Sequence, residues 1–486
     1  MEVAAWKVAD YDRTAMHWLA DIAYLIAGLV YLPVALYHAL IVGKNRRGWG
    51  QRFGNVPRLD PNVPRIWIHA VSLGEINATP RLVAALKDQL PGTDIVFSTT
   101  TDTGYARAVQ LYGAGRVFRY PLDFSPVVAR VLRRVRPTMI VLVELEVWYN
   151  LVHMASARGI PVAIVNGRLT ERSERRFRRL GAIGRSMFRH LTWVGAQDET
   201  IAARFRSVGV PSERIEVTSS LKWDTAQVAD RVEGADALAA ALGLNGSRPV
   251  WVCGSTGPGE EAILLEAYRV LLSRNDPSRE RKRADRGRVA SAPRSERPVA
   301  CAPGSDADAP VLVLVPRKPE RFDEVARLIE DSGFECVRRS GRPDGTTVAT
   351  DSGGSVVLGD TMGELRKFYS LADIVFVGRS LVAMGGSDPM EVAALGKPMV
   401  VGMHMENFES PVQLLCGAEA LHIVKTGAVL RTVIGELLAD SSKRERMGAA
   451  AREVVLRNQG AAKRTADQVV RLMAADERTR SLGNET

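Results

Sequence analysis

From residue 65 onward the chain alternates short, wholly apolar runs with longer stretches whose apolar positions recur at helical spacing. RIWIHA (Arg65–Ala70), IVFSTT (Ile95–Thr100), MIVLVELE (Met139–Glu146), PVAIVN (Pro161–Asn166), TWVGAQ (Thr192–Gln197) and IEVTSS (Ile215–Ser220) read as buried strands. Helical stretches fall between them at Ile76–Leu90, Ser125–Arg136, Trp148–Arg158 and Glu199–Val208. Continuous apolar strands alternating with amphipathic helices predict βαβ units and a parallel sheet. After a break near Asp224–Leu244 the pattern resumes with PVWVCGST (Pro249–Thr256), PVLVLVP (Pro310–Pro316), VVLGD (Val356–Asp360), DIVFVGRS (Asp373–Ser380) and PMVVGM (Pro398–Met403). The expected fold is α/β, with Rossmann-like domains at 46–225 and 226–474 joined by a linker. Ser442–Ala474 reads as one or two long helices with a basic face, and 475–486 as a fraying tail.

Two segments depart from this pattern. Ile22–Val42 contains no Asp, Glu, Lys or Arg and is about long enough to cross a bilayer. Trp18, Tyr24 and Tyr37 lie toward its ends, where amphipathic rings favour the headgroup level, and Lys44, Arg46 and Arg47 follow it. Residues 1–45 are therefore expected to anchor the chain to the inner membrane, with the rest in the cytoplasm. Pro33 and His38 interrupt the run, so a helix lying in the interface is the alternative. The second segment, Asn275–Asp308, is rich in Arg, Ser, Ala, Pro and Asp and has almost no large apolar side chain. It is expected to be a disordered surface loop.

Length and charge narrow the partners. The 486 residues suffice for two or three domains with sizeable cores. A formal charge of +10 suits a membrane surface or a phosphorylated lipid. Aromatics make up only 6%, and no basic segment is interleaved with them, so nucleic acid is not expected as a partner. Cys253, Cys301, Cys336 and Cys416 show no metal-ligand spacing, and no metal or cofactor is expected.

Candidate chemistry collects where strands end. Ser72, Gly74 and Glu75 follow the first strand and precede a helix expected to begin near Ile76. Open α/β sheets bind ligands at that end, although a carboxylate there can also be a plain helix cap. Glu144 and Glu146 end another apolar run, where alternation puts both on one strand face. Arg317 and Lys318 follow VLVLV and suit a phosphate. Thr361, Met362 and Gly363 are expected to open one helix, and Gly385, Gly386, Ser387 and Asp388 another, each offering free N–H groups to an anion. Glu391 lies three residues after Asp388, placed to accept from a ribose hydroxyl. Neither a G-x-G-x-x-G fingerprint nor a Walker P-loop is present. Arg168–Arg189 is strongly basic with Leu180, Ile183, Met187 and Phe188 between its charges, a face suited to anionic lipid or simply to solvent.

These motifs occur in a series: HAVSLGE (69–75), ELEVWYNL (144–151), NGRLTERS (166–173), STGPGEE (255–261), PRKPERF (316–322) and GDTMGELRKFYSLADIVFVGRSL (359–381). In order and spacing, from about Trp18 to Ala474, the chain resembles the 3-deoxy-D-manno-octulosonic acid (Kdo) transferases of lipopolysaccharide synthesis. The resemblance implies a GT-B fold with an N-terminal acceptor domain and a C-terminal donor domain. It implies CMP-Kdo as donor, a lipid A precursor as acceptor, an inverting transfer and Glu75 as general base. It also implies a second acidic residue at Glu144 or Glu146. The expected substrate-binding set is Ser72, Gly74, Arg168, Ser255, Thr256, Arg317, Lys318, Arg321, Thr361, Met362, Gly363, Glu364, Gly385, Gly386, Glu391 and Asn407. Three positions depart from the family pattern. Lys318 stands where His is usual, Gly257-Pro258 follow Ser255-Thr256 in place of His, and Ser387-Asp388 replace His-Asn. A transferase for another activated sugar or lipid, and an inactive nucleotide-sugar binding protein, are the alternatives. Intact Glu75 disfavours the latter, because a binding module needs no base.

Overall fold

A computed structural model of the chain describes residues 18, 20–26, 28–30, 48–274, 309–341 and 354–483. They divide into two compact units, Met1–Thr225 with Asn458–Thr486, and Ala226–Arg457.

In the first unit β1 (Arg65–His69), β2 (Asp94–Thr99), β3 (Val117–Arg119), β4 (Met139–Val143), β5 (Val162–Gly167), β6 (Trp193–Ala196) and β7 (Ile215–Val217) form a parallel sheet in the order β3-β2-β1-β4-β5-β6-β7. Successive side chains point to opposite faces, so Ile66 and Ile68 enter one core while Trp67 enters the other. Both faces are covered, and every residue of β1 and β4 is buried. That is why these strands read as unbroken apolar runs. The strand order reverses between β1 and β4, and such a switch point opens a crevice past the strands' carboxyl ends. The HAVSLGE and ELEV segments leave the sheet at that point.

The second unit repeats the plan with β8 (Val250–Thr256), β9 (Val311–Pro316), β10 (Glu335–Arg338), β11 (Ser355–Leu358), β12 (Ile374–Val377), β13 (Met399–Gly402) and β14 (Leu421–Val424). Their order is β10-β11-β9-β8-β12-β13-β14, so the reversal lies between β8 and β12. Three strands absent from the sequence reading, β3, β10 and β14, are all at sheet edges. They are short, and Glu335–Arg338 and Leu421–Val424 each bury only part of their side chains. Neither gives a continuous apolar signal.

The chain's last helix, Ala461–Gly483, differs from expectation: it belongs to the first unit, where a domain at 226–474 would assign most of it to the second. Ala461, Ala462, Ala466, Val469 and Met473 are buried in the same core as Ile66 and Leu82. The Asp224 carboxylate accepts from the N–H groups of Gly460 (2.6 Å) and Ala462 (2.5 Å), which caps this helix against the strand-end loop it packs on.

The described part of the N-terminal segment is helical at 20–26 and 28–30 and is bonded into the first unit. Asp21 accepts from Ser125 N–H (2.9 Å), Ser125 Oγ (2.5 Å) and Asn150 Nδ2 (2.8 Å). Tyr24 donates to Asp123, and its ring meets Phe124 edge-on. Among the described residues no helix is long and apolar enough to cross a membrane. Residues 31–47, which hold most of the predicted span, lie outside the described residues, as do Asn275–Asp308 and Cys301.

Asp123 is buried, and burial pushes its carboxyl up to about 7, against the pull of N–H donors from Asn150 and Leu151 and the Tyr24 hydroxyl. The folded state then binds this proton more tightly than the unfolded chain, whose aspartate titrates near 3.8. Its contribution to stability is fully present below that value and is lost as pH rises through about 7. Asp123→Asn should flatten this decline. Unfolding free energies of wild type and variant, measured by denaturant titration across that window, check it: a wild-type-minus-variant difference constant with pH counts against the assignment.

Candidate active site

In the first unit the site is built on the turn after β1. The helix begins at Leu73, earlier than the Ile76 expected, because Ser72 caps it and its Oγ accepts from Glu75 N–H. Glu75 thus sits in the first turn and is 9% exposed. Its Oε2 accepts from Val71 N–H (2.7 Å) and its Oε1 from Ser72 Oγ (2.8 Å). An ionised carboxylate has about four acceptor positions, so two bonds orient it and leave capacity for a further donor. Burial pushes the Glu75 carboxyl up, the Val71 bond draws it back, and the charge of Glu144 pushes it up again. A carboxylate shifted this way is a stronger base than an exposed one.

Glu144 and Glu146 are brought to the same place by a route other than strand alternation. β4 stops at Val143, and Glu144 adopts a left-handed conformation (φ 64°) while its N–H still bonds Val165 O at 3.0 Å. Left-handed backbone in a non-glycine residue costs on the order of 1 kcal/mol and is found at functional sites. Glu146 is half-buried and accepts from Trp148 Nε1 at 3.2 Å. Burial, and then the charge of Glu75, raise its carboxyl to about 7. The three glutamates therefore form one electrostatic cluster at the switch point, with one member near neutrality. Below it lies His69, buried, with Nδ1 2.9 Å from Ser98 Oγ and its ring stacked on Tyr120. Burial lowers His69 to about 3, so it stays neutral and serves as packing. Gly74 is exposed beside Glu75, and Arg168 is half-buried after β5. Among the described residues no group of His, Cys, Asp or Glu has an arrangement that could hold a metal ion.

In the second unit the expected residues again meet at the strand ends. Ser255 is the extra residue of a bulge between β8 and β9 and is left-handed (φ 56°). Its hydroxyl is turned toward Tyr369, and a side chain at Gly254 would collide with that same ring. Arg317 N–H donates to Thr256 O (3.1 Å), which carries the chain from β9 past the site with Arg317 and Lys318 exposed. Gly385 and Gly386 are consecutive left-handed residues (φ 79° and 78°). A Cβ on Gly385 would strike the Asn407 amide and one on Gly386 the Met405 sulfur, and at these positive φ values any side chain would be strained. Glu391 is half-buried; burial and the neighbouring Asp388 raise it, while Arg366 and Arg317 pull it down. The buried hydroxyls of Thr256 and Ser387 have no hydrogen-bond partner among the described residues.

Three expectations change on this ground. Arg321 is not a free cation: its guanidinium forks onto Glu261 (2.6 and 3.1 Å) and also meets Glu324. Glu364 accepts from Thr361 Oγ1 (2.6 Å) and pairs with Arg339 and Lys367, so its carboxylate is bound within the second unit. The helices expected at Thr361 and Gly385 begin later, at Leu365 and Met390, and are only seven and five residues long. Thr361–Gly363 is a turn and Gly385–Ser387 an irregular stretch, and each leads into its helix.

Sequence reasoning missed Glu260. It is fully buried and accepts four backbone N–H bonds: Gly257 (2.9 Å), Arg379, Ser380 (2.7 Å) and Leu381 (2.8 Å). It thereby ties the ends of β8 and β12 together at the switch point. The signal was the pair Glu260-Glu261 at the start of an otherwise apolar helix face, where two carboxylates need strong partners to be buried.

A family model described as 3-Deoxy-D-manno-octulosonic-acid transferase (kdotransferase) matches residues 47–225. A 3-deoxy-D-manno-octulosonic acid transferase of Haemophilus influenzae is 33% identical over 405 residues, 83% of this chain and 86% of that protein. One of Bordetella pertussis is 33% identical over 414 residues, 84% and 87% of the two chains. Among solved structures, the UDP-GlcNAc 2-epimerase of Neisseria meningitidis bound to UDP-GlcNAc matches with a TM-score of 0.51 and 12% identity, over 84% of this chain and 100% of that one. At that identity the likeness shows the fold alone.

Proposed function

The chain belongs to the 3-deoxy-D-manno-octulosonic acid transferase family, and from that premise we propose that it transfers Kdo from CMP-Kdo to a lipid A precursor with inversion. The observation that supports this most is Glu75, a buried carboxylate oriented by Val71 N–H and Ser72 Oγ at the switch point of the first unit. Glu75 takes the proton of an acceptor hydroxyl as its oxygen attacks the anomeric carbon. The bond from that carbon to the phosphate oxygen breaks, and CMP leaves with the electron pair. Glu146, with its carboxyl near 7, keeps one member of the cluster protonated part of the time, so the base is not surrounded by full negative charge. In the second unit Arg317 and Lys318, with the turn at Thr361–Gly363 and the stretch at Gly385–Gly386, hold the CMP phosphate, and Glu391 faces the ribose. Arg321, Glu261 and Glu260 keep that framework in place. The apolar run Ile22–Val42, followed by Lys44, Arg46 and Arg47, supports a location at the inner membrane with both units on its cytoplasmic side.

CMP release from CMP-Kdo, followed with and without a tetra-acylated lipid A precursor, tests this reading. Acceptor-dependent release is expected; release no faster than in its absence would contradict it. Arg317→Ala should raise the donor KM roughly 10- to 100-fold and leave the acceptor KM nearly unchanged, because one charge-assisted contact contributes about 1.5–3 kcal/mol. Lys318→His should remain active but gain a pH-dependent donor KM between about pH 6 and 7.5, where imidazole titrates and lysine does not. Unchanged donor KM in both variants would remove these side chains from the donor site.

A further inference from the structure

In the second unit the strand order reverses between β8 and β12, and open α/β sheets bind ligands at the crevice past such strand ends. Arg379 lies there, two residues beyond the end of β12, in a left-handed conformation (φ 60°). A side chain in that region is strained, and glycine would hold the same backbone without strain. The conformation is fixed from both sides. Arg379 N–H donates to the buried Glu260 carboxylate, and its carbonyl accepts from Gly386 N–H (2.9 Å). The backbone therefore favours glycine, and the chain has an arginine instead.

The side chain supplies the reason. Its Nη2 donates to Met384 O (3.0 Å), and among the described residues the guanidinium has no carboxylate partner. Other arginines of this unit differ: Arg321 is paired with Glu261, Arg338 with Asp360 and Arg339 with Glu364. Glu260 touches Arg379 only through the backbone, because its oxygens accept from N–H groups. One carbonyl engages one of the five guanidinium N–H groups and neutralises no charge. Arg379 is half-buried, so that charge is held at the crevice and not on a fully solvated arm.

The stem of Arg379 also crosses toward β8. A Cβ added at Gly257, the residue after β8, would come within 3.1 Å of Arg379 Cγ and 2.8 Å of the Met384 sulfur. Gly257 stands where the family pattern has His, and its missing side chain leaves the space that Arg379 and Met384 occupy. A basic side chain rising from β8 is thus exchanged for one that reaches over from β12.

We propose that Arg379 binds an anionic group of the sugar-nucleotide donor, its phosphate or its sugar carboxylate, in place of the histidine absent at 257. This rests on CMP-Kdo being the donor, as proposed above. Both groups present paired oxygens that match the guanidinium fork. The left-handed backbone at Arg379 is then the consequence of setting that fork beside Gly386, whose N–H it binds.

The experiment uses the full-length protein and measures the CMP-Kdo KM by acceptor-dependent CMP release, with CMP affinity from calorimetric titration. Arg379→Gly removes the side chain and relieves the strained backbone. Its melting temperature should stay within a few degrees of wild type while the CMP-Kdo KM rises at least about tenfold. Arg379→Gln can still donate to Met384 O but carries no charge. It should lose as much as the glycine variant, and a donor KM within a few fold of wild type would make Arg379 a tie for its own loop and overturn the proposal. CMP separates the two anions. Weakened CMP binding puts the phosphate on Arg379, and unchanged CMP binding with a raised CMP-Kdo KM puts the carboxylate there; either result upholds the proposal. Gly257→His should raise the donor KM in wild type, where it pushes Arg379 aside, and lower it in the Arg379→Gly background, where the space is empty. The same change in both backgrounds overturns the proposal. If wild type turns over CMP-Kdo and the Arg379 variants match it, this proposal alone falls. If wild type shows no acceptor-dependent release, the transferase reading falls with it.

Discussion

Glu75→Ala should lower the rate of transfer by about 10²–10⁴-fold, the usual loss when a general base is removed, while CMP affinity stays within a few fold of wild type. The asymmetry follows from where the groups lie. Glu75 belongs to the first unit, and every group assigned to the nucleotide belongs to the second. Glu75→Gln separates basicity from shape, because an amide can still accept one of the two bonds from Val71 and Ser72 but cannot take a proton. It should be nearly as slow as the alanine variant. In wild type, kcat/KM should rise with pH through the raised titration of Glu75, since only the ionised carboxylate can act as a base. Rates at saturating CMP-Kdo, with calorimetric titration of CMP, decide the matter. Glutamine activity within a few fold of wild type would reduce Glu75 to the capping residue that its bonds to Ser72 also allow.

Glu260→Ala should be the most destabilising single change in the second unit, by roughly 3–5 kcal/mol, the scale for removing one partner of a buried charged network. The four N–H groups of Gly257, Arg379, Ser380 and Leu381 would lose their common acceptor inside the protein, and each unsatisfied buried donor costs about 1–3 kcal/mol. For a unit of this size the melting temperature should fall by roughly 10 °C or more. Because the carboxylate joins the loops after β8 and β12, CMP affinity should fall with stability even though Glu260 need not touch the nucleotide. Thermal unfolding by calorimetry, together with CMP titration below the transition, provides the check. A shift of only a degree or two would mean that water replaces the carboxylate without strain.

Much of the fold was legible because parallel strands buried on both faces leave an unbroken apolar record. All the runs read as strands, from Arg65–Ala70 to Pro398–Met403, are strands of the two sheets. Two of the edge strands, β10 and β14, escaped because part of their side chains are left unburied, and β3 because it is only three residues long. The last helix was assigned by chain order, and nothing local in Ala461–Gly483 says which core its alanines enter; that depends on Asp224, more than two hundred residues earlier. The site was legible as positions and less so as roles. Arg321 looks like Arg317 in sequence, a cation shortly after a strand, yet it is consumed by Glu261, which comes 60 residues before it. Glu144 and Glu146 were grouped for a reason that fails, since β4 ends before them, and the left-handed turn at Glu144 brings them to Glu75 instead. Bulges and left-handed turns at Glu144 and Ser255 leave no periodic signature, because they interrupt the pattern from which strands are read.

The central claim is that this chain joins Kdo to an acylated lipid through a base in its first unit and a nucleotide site in its second. Mass spectrometry of the lipid recovered after incubating the purified full-length protein with CMP-Kdo and the tetra-acylated lipid A precursor tests it most directly. The account predicts a lipid heavier by one or more Kdo residues, formed by wild type and absent with Glu75→Gln. A lipid of unchanged mass with wild type, or the same product from the glutamine variant at an undiminished rate, would contradict it.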